Sequence, residues 1–101
     1  MHRLERWRPL IQATTTESQL VTVMREYCGS FLPSELAALP PDCPRCEIDT
    51  AEDIPGLALD FTAYELKFSG SEALHSMLRD MALVFTAAAQ HLKRFRPGPL
   101  G

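Results

Sequence analysis

Apolar residues recur at helical spacing in two stretches of the chain and at ambiguous spacing in a third. Leu20, Val23, Met24, Tyr27, Cys28 and Phe31 fall at steps that place them on one helical face, which predicts a helix over about residues 16–30. The run TTTESQ precedes it. There Thr14 with Glu17, or Thr16 with Gln19, matches the capping box, in which a hydroxyl and a carboxyl or amide satisfy two free N–H groups. Gly29 weakens the end of this helix.

The clearest stripe is Leu74, Met77, Leu78, Met81, Val84, Phe85, Ala88, Leu92 and Phe95. Ser69, Gly70 and Ser71 break the preceding segment, Glu72 lies in the first turn, and His91, Lys93 and Arg94 suit the negative end of the dipole. A helix over 71–95 would be roughly 37 Å long at the α-helical rise. That length nearly crosses a domain of this size, so other helices must pack along it, with Leu78 and Phe85 in the core.

Residues 57–68 fit two periods. As a helix, Leu57, Phe61, Tyr64 and Phe68 share a face; as a hairpin, Leu57, Leu59 and Phe61 alternate with polar or small residues, and so do Tyr64, Leu66 and Phe68. The hairpin would have to turn at Thr62 and Ala63, which resist the positive φ of two-residue turns, so a helix over 55–68 is preferred. Short helical turns are expected near 34–39, capped by Ser34 and stopped by Pro40 and Pro41, and near 50–53, ahead of Pro55. Residues 40–49 read as a loop. Residues 1–13, where Pro9 interrupts Trp7, Leu10 and Ile11 among arginines, read as an arm or short docking turn, and 96–101 as a flexible tail. The expected fold is all-α, a small irregular bundle of three principal helices plus short helical turns, in a single domain over 1–101.

At 101 residues, with 46% apolar and 23% charged, the chain can support one modest core and is too short for large catalytic architectures such as a TIM barrel. Ten basic against thirteen acidic residues argue against a dedicated nucleic-acid binder. Arg3, Arg6 and Arg8 at one end and Lys93, Arg94 and Arg96 at the other leave the acids concentrated between basic termini. Basic ends neutralise an acidic body; they could also steer a charged partner. The longest strongly apolar run, Met81 to Ala89, is too short to cross a bilayer, and residues 1–12 lack the apolar region of a signal peptide. Three cysteines suit a reducing compartment, so a cytoplasmic protein without membrane contact is expected.

Cys43-Pro44-Arg45-Cys46 has the spacing that can put two thiolates on one zinc, with Cys28 a possible third ligand and His2, His75 or His91 a fourth. Cys28 shares its stripe with Leu20 and Met24, however, and reads most simply as a small buried apolar residue. A dithiol redox centre needs a lowered thiol pKa, whereas Asp42, Glu47 and Asp49 should raise it. No metal and no cofactor is therefore expected. Glu47, Asp49, Glu52 and Asp53 lack the glycine and spacing of a calcium loop and read as solvated acids at a helix start. His75 and His91 lie too far apart on one helix to share an ion. No nucleophile elbow, phosphate loop or dinucleotide fingerprint occurs, so enzymatic function has no residue-level support.

Two features favour an interaction surface. Leu83 projects opposite the main stripe among Ser76, Arg79, Gln90 and Arg94, while Ala82, Ala87, Ala88 and Ala89 form a narrow waist where a second helix could lie. The competing reading is a larger core that wraps both sides. Trp7, between Arg6 and Arg8, is either an aromatic anchor on a basic arm or a lid over the core. The function expected is a protein-interaction or regulatory, accessory module that meets a protein partner or a second copy of itself, with Leu83, Ala87, Arg79 and Trp7 in contact. The alternative is a thiol- or zinc-dependent site at Cys43 and Cys46.

Overall fold

A computed structural model describes residues 3–68 and 70–96. They form five helices, α1 (Arg3–Gln12), α2 (Glu17–Gly29), α3 (Pro33–Ala37), α4 (Asp53–Lys67) and α5 (Glu72–Leu92), with no strand among the described residues. The fold is all-α, a small helical bundle. No described helix is long and apolar enough to cross a membrane.

The segment read as an arm is a helix. Leu4, Trp7 and Ile11, at steps of three and four, turn inward, and Trp7 and Ile11 are buried. Pro9 obscured that pattern, but it lies on the exposed side of α1, where its missing N–H leaves one carbonyl to water. The bundle thus has four substantial helices instead of three. Residues 57–68 are helical apart from the cap at Phe68, and the Thr62 hydroxyl donates to the Ala58 carbonyl (2.7 Å) where the hairpin would have turned. Pro55 is tolerated because it occupies the first turn of α4, whose N–H groups have no intrahelical acceptor. The Asp53 carboxylate accepts from the Asp49 and Thr50 amides and so ties the preceding loop to the start of α4. Thr16 caps α2, accepting from the Gln19 amide, and Gln19 returns its side-chain oxygen to Thr15. α5 ends at Leu92, three residues earlier than expected, and residues 93–95 continue as a turn.

Helix α5 is the centre of the molecule: α4 packs against it, as do α1 and α2, which also touch each other. Phe85 of α5 meets Phe61 of α4 and Tyr27 of α2, while Tyr27 also stands edge-on to Trp7 and Phe31. Such edge-on arrangements let positive ring edges meet negative faces. Asp80 of α5 ties this side together. One of its oxygens accepts from the Leu4 amide at the start of α1 (3.3 Å), the other from the Tyr27 hydroxyl (3.2 Å). A carboxylate there also complements the positive end of α1. Burial and the Asp80 charge push the Tyr27 pKa well above its ordinary value. The buried His91 shares a hydrogen bond with the Thr14 carbonyl (2.9 Å), joining the end of α5 to the α1–α2 turn.

Candidate functional site

The residues singled out for interaction are distributed along the groove between α1 and α5. Leu4, Glu5 and Arg8 from α1 face Glu72, His75, Ser76, Arg79 and Leu83 from α5 across a cleft of about 520 Å³. A second cleft, about 190 Å³, follows one turn further along, between Arg8, Ile11 and Gln12 on α1 and Ala87, Gln90, His91 and Arg94 on α5. Arg8 lines both. Arg79 and Leu83 thus belong to the first cleft and Ala87 to the second.

Leu83 is exposed. Arg8, Arg79 and Arg94 make no ion pair among the described residues, whereas Arg3 and Arg96 do. The first cleft is mixed in charge, since Glu5 and Glu72 line it with the arginines; the second contains arginines and amides and no acid. His75 is drawn away toward Glu65, 3.3 Å from its carboxylate.

Two expectations change. Trp7 is 6% exposed and packed on Tyr27, so it is a lid on the core and not an anchor available to a partner. Ala82 and Ala88 are buried, and α1 lies beside Leu83 and Ala87, so the chain itself covers much of the alanine waist. The reading of a core wrapping both sides describes the waist, with Leu83 left at its open edge.

The cysteines, the residues of the thiol or zinc alternative, lie between α2 and the loop that follows α3. The sulfurs of Cys28 on α2 and Cys46 in the loop stand 2.7 Å apart, and Cys46 shares with Cys43 a cleft lined also by Leu36, Leu39 and the prolines 40, 41 and 44. No group of three or more potential ligands is gathered among the described residues. Burial and the Asp42 charge push the Cys43 thiol up to about 11. The Cys28 thiol, burial, and the Cys43 and Glu47 charges raise Cys46 further. Both shifts oppose a reactive thiolate. Arg25 of α2 fixes the loop by donating to the Ile48 and Asp49 carbonyls, both at 3.0 Å.

The four acids also separate. Asp53 accepts from two loop amides, Glu52 bonds Arg96, and Glu47 and Asp49 are exposed. Arg96, expected to open a flexible tail, is held by both Glu17 and Glu52 at 2.7 Å; residues 97–101 of that tail lie outside the described residues.

Sequence reasoning missed a surface on α4. Leu59 and Leu66 are 74% and 79% exposed, the barest large apolar side chains described, and they stand two turns apart on one face. Their spacing of seven was visible in the chain, but Leu59 was absorbed into the strand alternation of 57–61. Comparison with protein-family models, with curated proteins and with solved structures finds no match.

Proposed function

We propose that this protein is an interaction module that docks an acidic, leucine-bearing segment of a partner protein in the α1–α5 groove. The observation that carries the reading is the pair of adjoining clefts that share Arg8, with Leu83 exposed at the edge of one and, in both, arginines that make no ion pair among the described residues. An apolar side chain of the partner would cover Leu83, and its carboxylates would meet Arg8 and Arg94 in the acid-free cleft. Charge complementarity of this kind speeds encounter and rejects basic competitors. Three thiols, two of them with raised proton affinity, suit a reducing compartment, and we place the module in the cytoplasm.

Selection from a random peptide library tests this. Enriched peptides should be acidic and carry leucine or a similar apolar residue, and binding should weaken as salt rises. Arg8→Glu with Arg94→Glu should reduce affinity by about tenfold or more. Leu83→Glu should do so without loss of helicity. Peptides that bind all these variants as well as the original chain would place docking elsewhere, and an absence of acidic enrichment would refute the groove's role.

A further inference from the structure

The outward face of α4 has a second property besides its leucines. Gly56, Leu59, Ala63 and Leu66 are spaced three, four and three apart and all are exposed. This is the seam pattern of a helix that meets another helix. α4 touches no described helix except α5, and no described residue covers this seam.

Gly56 is informative because the fold does not need it. It lies inside the helix with no positive φ, and a Cβ added there would meet nothing within 4 Å. Glycine in a helix interior costs up to about 1 kcal/mol relative to alanine. A residue without a side chain at that place permits close approach of something outside the chain.

From this face we infer that two copies of the chain associate through antiparallel α4 helices. With a two-fold axis beside residue 61, Leu59 of each copy meets Ala63 of the other, and Leu66 of each meets Gly56 of the other. Every large side chain then faces a small one, in four layers spanning about 15 Å. The flank of the seam is self-complementary at its ends. Asp53 and Lys67 lie fourteen residues apart on the same edge, so reversing one copy brings Lys67 of each within two residues, about 3 Å along the axis, of Asp53 of the other. Asp60, midway between them and exposed, is left facing its own counterpart. The occupant is thus a second copy, because this charge order and this alternation of large and small residues complement themselves only when reversed. A seam of one helix pair is small, so the dimer is weak and concentration-dependent.

Sedimentation equilibrium of the full chain over a range of concentrations tests the inference, with circular dichroism as the check on folding. The average mass should rise toward twice 11.3 kDa with concentration. Gly56→Leu should give a helical monomer throughout, since its side chain has free space in the single chain and none in the dimer. Leu59→Gln should do the same. Lys67→Glu should weaken association, and Asp60→Asn should strengthen it by roughly three- to tenfold at low salt, an effect that a parallel pair would not show. A monomer at every concentration overturns the inference. So does a dimer that survives Gly56→Leu and Leu59→Gln, or one that Asp60→Asn leaves unchanged. Peptide docking in the α1–α5 groove involves none of these residues and stands or falls separately.

Discussion

Helix α5 is covered on two sides, by α4 and by α1 with α2, whereas α4 is covered on one. Eight of the 21 residues of α5 are buried against three of the 15 of α4, although both helices carry apolar residues at regular spacing. Periodicity therefore reports that a face exists and says nothing about what meets it. On α5 the spare leucine, Leu83, stands at the edge of a groove that α1 walls on its other side; on α4, Leu59 and Leu66 stand in the open.

The largest effects should separate these faces. Phe85→Ala, which empties the junction of α2, α4 and α5, should cost about 3–5 kcal/mol in urea unfolding, whereas Leu66→Ala, measured dilute, should stay within about 0.5 kcal/mol. Comparable costs would mean that the single chain covers its α4 face after all. Next in size is Asp80→Ala, expected to cost about 1–3 kcal/mol because it strands the buried Tyr27 hydroxyl and the Leu4 amide. Adding Tyr27→Phe should recover part of that loss, and an additive double variant would show that the two groups are not coupled.

Smaller effects follow from titration. The folded chain keeps the Cys43 proton up to about 11, while an unfolded thiol loses it near the ordinary value of about 8.5. The folded state then binds more protons in this window, so stability should decline as pH rises from about 9 toward 11, less steeply in Cys43→Ser. Alkylation of Cys43 should likewise keep accelerating past pH 9; a plateau near neutral pH would reveal an activated thiol. The smallest effect expected is at Arg96, which holds the Glu17 and Glu52 carboxyls below their usual range by direct hydrogen bonds. Their contribution is present above the ordinary carboxyl pKa and lost as pH falls through the lowered one. Arg96→Ala should therefore differ from the parent chain near pH 6 and converge with it in acid, as followed by thermal melts.

The long stripes of α2 and α5 were legible because their apolar spacing is uninterrupted and hydroxyl residues cap them. α4 was legible as an element but not as a surface, since the Leu57–Phe61 alternation disguised which leucines point outward. α1 was hidden by Pro9 and the arginines, although Leu4, Trp7 and Ile11 carried the signal. Asp80 was also missed. A carboxylate three residues after Met77 and four before Val84, inside an apolar stripe, marks a buried polar partner, but the sequence does not disclose that the partners are Tyr27 and the first turn of α1. Cys28 and Cys46 meet because Arg25 holds the loop against α2, a long-range contact with no local signature.

The proline in α1 has a dynamic consequence. A ten-residue helix that lacks one internal bond is too short to persist in water by itself, so α1 is ordered only while docked. It should act as a separable unit whose amides exchange with solvent through a partial opening, ahead of α4 and α5. Each such opening removes one wall of the groove. A ligand that bridges Arg8 and Arg94 would therefore slow exchange throughout residues 3–12, including amides it never touches, and its occupancy could be read from protection of the first helix.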